Sequence, residues 1–173
     1  MEKSANPERS QAISFEAAYR GNFQAIYRFG FRLLGDAEQA LDLTQEVFLR
    51  LHAQLNGGCP VLDIKPWLYR IATNLSYDWL RRNARFRQIP INPIERTAPD
   101  AEQSLIAAER AHAVRRALGQ LSMRDRVLLN LYQNELSYEE ISKASGIRRT
   151  SVGKLISRAL KRLAKRLENG EIS

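Results

Sequence analysis

Residues 136–160 read LSYEEISKASGIRRTSVGKLISRAL, and this stretch decides the fold class of the chain. Ser137 stands at a helix start with Glu140 three residues on. That is a capping box, in which the serine hydroxyl and the glutamate carboxylate each satisfy the other residue's backbone N–H. Gly146 falls where one helix must stop and the chain must turn, and glycine tolerates the left-handed backbone such a turn needs. Ile141, Ile147, Val152 and Ile156 recur on the facing sides of two short helices and clamp them together. Arg149, Ser151, Lys154, Ser157, Arg158 and Lys161 are left outward on the second helix, with Arg148 at its start. The expectation is a helix-turn-helix over residues 137–163 whose second helix lies in the major groove of DNA.

A helical hairpin with a merely solvated basic face has the same glycine and the same apolar spacing. The charges argue against it: between Lys143 and Arg166 there are nine bases and no acid, whereas a solvated face mixes both signs. Two positions are atypical of the motif. Ser142 stands where alanine is commonest, and Gly153 lies inside the second helix, at a cost of about 1 kcal/mol relative to alanine. Close approach to a DNA backbone is one reading of Gly153.

Outward from this block the pattern stays helical. Phe15, Tyr19, Phe23 or Asn22, Ile26, Gly30 and Leu33 follow helical spacing up to Gly35. Asp36 caps the next helix, with Gln39 as capping-box partner, and its apolar stripe is expected at Leu41, Thr44, Val47 or Phe48, Leu51 and Leu55. Asn56-Gly57-Gly58-Cys59-Pro60 breaks the chain. Pro66 suits the first turn of a third helix that buries Leu68, Ile71, Ala72 and Leu75. Pro90, Pro93 and Pro99 interrupt residues 88–103, which read as an extended linker. Helical periodicity then resumes, with short helices at 123–133, 137–144 and 149–167. The fold class is therefore all-α: two small helical domains, residues 10–87 and 104–168, joined by that linker.

Composition narrows the function. The chain has 173 residues, is 44% apolar and carries a net charge of +8, so it can bury cores and is expected to meet an acidic partner, either nucleic acid or a membrane surface. Five acids and one arginine occupy Asp36 to Asp63, so a second surface suits a basic partner. Cys59 stands alone and His52 and His112 lie far apart, which gives neither disulfide framework nor zinc spacing. No cofactor or metal, no catalytic set and no small-molecule substrate are expected. No apolar run reaches membrane-spanning length, the N-terminus lacks the apolar core of a secretory signal, and a reducing cytoplasmic setting is the simplest expectation.

In residues 64–87 Arg70, Asn74, Tyr77 or Asp78, and Arg81 share one helical face that ends in Arg81, Arg82, Arg85 and Arg87. Arginine attracts phosphate, asparagine reads base edges and aromatics stack on unpaired bases. A solvated helix end over a core containing Trp67, Tyr69, Tyr77 and Trp79 is the plainer reading. Spacing favours core for Trp67 and does not decide Tyr77 or Trp79.

DLTQEVFLRL (42–51), PWLYRIATNL (66–75) and DWLRR (78–82) together resemble domain two of bacterial sigma factors. LSMRDRVLL (121–129), LSYEEI (136–141) and SVGKLISRA (151–159) resemble domain four. With only these two domains the chain resembles an extracytoplasmic-function (ECF) RNA polymerase sigma factor over residues 12–167.

The resemblance implies that Asp42, Leu43, Gln45, Glu46, Val47 and Phe48 dock on the β′ clamp coiled coil of core RNA polymerase, with the β subunit as a further partner. Val47 and Phe48 are either anchors or core. It implies that loop 56–65, with Gly57, Gly58 and Pro60, captures a flipped base of the −10 promoter element. Arg70, Asn74, Tyr77, Arg81 and Arg82 then read and open that element, residues 88–103 thread the polymerase cleft, and helix 149–163 reads the −35 element. Gly153 and Leu155 stand where the family commonly has lysine and arginine. An anti-sigma factor is the implied controlling partner. A stand-alone helix-turn-helix regulator that binds an operator without polymerase is the competing reading.

Overall fold

The computed structural model describes residues 14–82 and 101–170, with side chains over 14–82 and 110–168. Among the described residues there are seven helices and no strand. Helix α1 (Phe15–Leu34) starts where the Ala17 N–H donates to Ser14 Oγ at 3.2 Å. It ends at Gly35, whose φ of 74° lets its N–H reach the Phe31 carbonyl at 2.8 Å. Asp36 caps α2 (Ala37–Asn56) by accepting from the Gln39 N–H at 2.8 Å. Only this half of the expected capping box forms, because Gln39 Oε1 is buried without a hydrogen-bond partner.

Gly30 explains the close approach of these two helices. A Cβ there would lie 3.3 Å from Leu43 Cδ2 and 3.6 Å from the Ala40 backbone. Helix α2 presents Leu43, Thr44, Val47, Phe48 and Leu51 to the core, so the expected stripe is displaced at its start: Leu41 is exposed and Leu43 takes the inward place. Phe48 is held by three aromatic rings of α1, Phe15, Tyr19 and Phe23, at centroid distances of 6.5, 4.9 and 6.1 Å. Helix α3 (Ile64–Arg82) buries Pro66 in its first turn and sets Tyr69 edge-on to Phe29 at 5.2 Å. The buried hydroxyls of Thr44 and Ser76 each donate to the carbonyl four residues earlier, Ala40 and Ala72, which satisfies them without a cross-helix partner.

Helix α4 (Ala101–Gly119) begins inside the stretch expected to be linker, so residues 101–103 are helical; residues 88–100 of that expectation lie outside the described residues. Ser122 caps α5 (Met123–Gln133), and α6 (Tyr138–Ser145) and α7 (Arg149–Gly170) complete the chain.

The two halves share one apolar cluster: Ile26, Phe29 and Leu68 from the first join Val127, Leu131, Ile141 and Val152 from the second. Polar contacts lock the seam. On α5, Arg126 and Asn130 lie one turn apart and donate to the Leu33 and Phe29 carbonyls, also one turn apart near the end of α1. Carbonyls in the last turn of a helix lack intrahelical partners, so the Arg126 guanidinium serves as a cap for α1. Lys143 of α6 pairs with Asp63, just ahead of α3.

Candidate nucleic-acid interface

The helix-turn-helix is built by local chemistry. The Ser137 N–H donates to Glu140 Oε2 at 2.7 Å and the Glu140 N–H donates to Ser137 Oγ at 3.2 Å. Burial alone would raise the Glu140 carboxyl, but the hydrogen bonds from Ser137 and the nearby Lys65 leave it below its ordinary value. Gly146, at φ 71°, ends α6 by donating to the Ser142 carbonyl at 2.9 Å. The Ser142 hydroxyl donates to the Ile147 carbonyl at 2.6 Å. That bond staples the turn across its two sides, a role alanine at this position would not fill. Ile141, Val152 and Ile156 are buried and Ile147 is half-buried against them.

Opposite this apolar seam, Arg148, Arg149, Lys154, Ser157, Arg158 and Lys161 are exposed, and Ser151 is partly so. None of the five cations has an ion-pair partner among the described residues. Arg162 is different. It turns back and grips Asp125 with two bonds of 2.9 and 2.8 Å, so it holds α7 onto α5 and is not part of the free row.

On α3 the structure brings Arg70, Asn74, Tyr77, Arg81 and Arg82 to the surface. Tyr77 is 37% exposed, and burial, opposed by Arg124, raises its phenol pKa. Arg81 is paired with Asp78 at 2.8 Å, a surface contact worth under about 1 kcal/mol that phosphate would displace readily. Trp67 and Trp79 are half-buried against the core. Gly57, Gly58, Cys59 and Pro60 form an exposed loop between α2 and α3, with Gly58 at φ 72°.

The third surface needs correction. Leu43, Val47 and Phe48 are core residues at 6%, 0% and 2% exposure, so they do not face a docking partner in this structure. The outward side of α2 instead carries Asp42, Gln45 and Glu46 flanked by Leu41 and Leu49, which are 40% and 64% exposed. Leu41 and Leu49 were the functional candidates that sequence reasoning missed. Their signal was present, because residues 38, 41, 42, 45 and 49 trace one helical face.

Residues 18–86 match the family described as sigma-70 region 2, and residues 111–163 match sigma-70 region 4. Along the whole chain, the RNA polymerase sigma factor YlaC of Bacillus subtilis is 30% identical, over 89% of this chain and 92% of that protein. The chain belongs to the ECF family of RNA polymerase sigma factors. The ECF sigma factor SigE of Mycolicibacterium smegmatis is also 30% identical over 92% of this chain, which spans 63% of that relative's length. In three dimensions the fold resembles that of the sigma factor RpoE, solved in complex with the anti-sigma factor NepR from Bartonella quintana. The TM-score is 0.66 at 24% identity, covering 89% of this chain and 96% of that one. As an ECF sigma factor the chain belongs to a family of transcription regulators, not enzymes.

Proposed function

We propose that this ECF sigma factor binds core RNA polymerase in the cytoplasm and directs initiation from promoters gripped at two elements. The observation that carries this is the cationic row at the start of and along α7: Arg148, Arg149, Lys154, Arg158 and Lys161 have no ion-pair partner among the described residues, and an arrangement of donors on a helix-turn-helix second helix fits the −35 major groove. Arg70, Asn74, Tyr77, Arg81 and Arg82 on α3, with the loop at Gly57, Gly58 and Pro60, supply the −10 contacts. The outward face of α2 docks on the β′ clamp, where Asp42 and Glu46 supply charge and Leu41 and Leu49 supply the apolar anchors that hot spots need. The domain limits in this reading are 10–87 and 104–168, with residues 88–103 crossing the polymerase cleft beside the β subunit. An anti-sigma factor is the controlling partner; the likeness in fold to a sigma factor solved with one supports it.

Run-off transcription with core polymerase on a promoter library tests the reading. The full protein selects a promoter set only in the presence of core. Asp42→Ala with Glu46→Ala lowers core binding and leaves α7 intact, while Arg158→Ala lowers −35-dependent initiation and spares core binding. Operator binding by the protein without polymerase, with no directed initiation, sinks the proposal in favour of a stand-alone regulator.

A further inference from the structure

The second helix of the helix-turn-helix carries no side chain at residue 153, and Tyr138 of α6 fills the space. A Cβ built on Gly153 would lie 3.1 Å from Tyr138 Cε2 and 3.5 Å from both Cζ and the hydroxyl oxygen. The hydroxyl end of the ring therefore rests over the α7 backbone. At 3.1 Å a Cβ would push the ring off this seat by a few tenths of an ångström, and glycine leaves it in place.

Three further observations give the contact a direction. Tyr138 is the first residue of α6, and the Ser137–Glu140 box fixes that end of the helix. Tyr138 is 47% exposed, so its seat does not hide the phenol. Gly153 also stands between Arg149 and Ser157 in steps of four, in the middle of the outward row. The phenol thus occupies the gap that α7 leaves in its own row of donors.

We propose that Tyr138 completes the −35 grip: its hydroxyl donates to a promoter backbone phosphate, and Gly153 is the seat that sets it there. The start of the first helix of a helix-turn-helix runs beside the DNA backbone, and tyrosine hydroxyls are among the usual phosphate donors. This rests on the reading of α7 as the −35 helix. It also accounts for a glycine that helix propensity disfavours.

The test uses holoenzyme assembled from core polymerase and the full chain, on promoters with randomised −35 elements. Tyr138→Phe keeps the ring and loses the donor. It lowers initiation about tenfold or more, the range of one hydrogen bond to a charged group, and does so equally across −35 sequences, as loss of a phosphate contact requires. Gly153→Ala gives a loss of the same order in the Tyr138 chain and no added loss in a Tyr138→Ala chain. No effect of Tyr138→Phe, a re-ranking of −35 sequences by it, or a Gly153→Ala loss that persists without Tyr138 overturns the proposal. Arg158→Ala separates the two levels: if it too is silent, the −35 reading of α7 falls with the proposal. If it alone reduces initiation, only the Tyr138 assignment falls.

Discussion

Tyr69 stands on α3 against Phe29 with only 2% of its surface exposed. Burial raises its phenol to about 12, with Arg32 and Arg28 offsetting only part of the effect. The folded value lies above the unfolded value of about 10, so the protonated phenol stabilises the fold fully below pH ~10. That contribution, about 2 kcal/mol, disappears as the pH rises from about 10 to about 12. Urea unfolding across this window should show the loss in the parent chain and a flatter profile in Tyr69→Phe. At this scale the sequence was only partly legible. The outward cations of α7 followed from spacing, because helical period alone separates them from Val152 and Ile156. The burial of Leu43 in place of Leu41 did not, and Val47 and Phe48 stayed open between core and anchor, because which side of α2 is covered depends on where Phe15, Tyr19 and Phe23 of α1 arrive.

The helix-turn-helix shows how an element holds its place. Ser137 and Glu140 close both bonds of a capping box and Gly146 ends the same helix one left-handed step beyond Ser145. Ser137→Ala should cost about 1 kcal/mol, a fall of roughly 2–4 °C in Tm for a chain of this length. The Glu140 carboxyl is held below its ordinary value, so its contribution is present above the usual carboxylate range and fades as the pH falls through its folded value. Thermal melts at neutral and acid pH therefore give a larger Ser137→Ala deficit at neutral pH; an equal deficit at both means Glu140 takes no part. The caps at Gly35, Asp36, Ser137 and Gly146 were legible because a cap needs only residues within one turn of chain; the cap at Ser14 was not read from the sequence. The failed Gln39 half was not legible, because the packing of neighbouring elements decides which side chains reach their partners.

Across the whole molecule, α3 and α6 are in direct contact and Arg126 and Asn130 tie α5 to the end of α1. A packed chain of this size spans roughly 40 Å, whereas promoter elements near −10 and −35 are about 85 Å apart along B-DNA. On the proposed two-element reading both cannot be gripped in this arrangement, so that reading requires the halves to part on the promoter. The seam is open to attack at its polar locks, since the exposed Lys143–Asp63 pair contributes little on its own. Arg126→Ala with Asn130→Ala should enlarge the radius of gyration in small-angle X-ray scattering and strengthen core binding several-fold, because less free energy goes into opening. An unchanged radius would mean that the apolar seam alone closes the molecule.

The sequence by itself determined the all-α character, the helix-turn-helix and the sign of each surface, because periodicity, caps and charge runs are local properties of the chain. Only the tertiary structure decided which face of α2 is free, why residue 153 is glycine and how the two halves share a core. Each of those is a meeting of residues far apart in sequence: Phe48 with Phe15, Gly153 with Tyr138, Asn130 with Phe29. Helical period says which side chains share a face, and packing alone says what covers it.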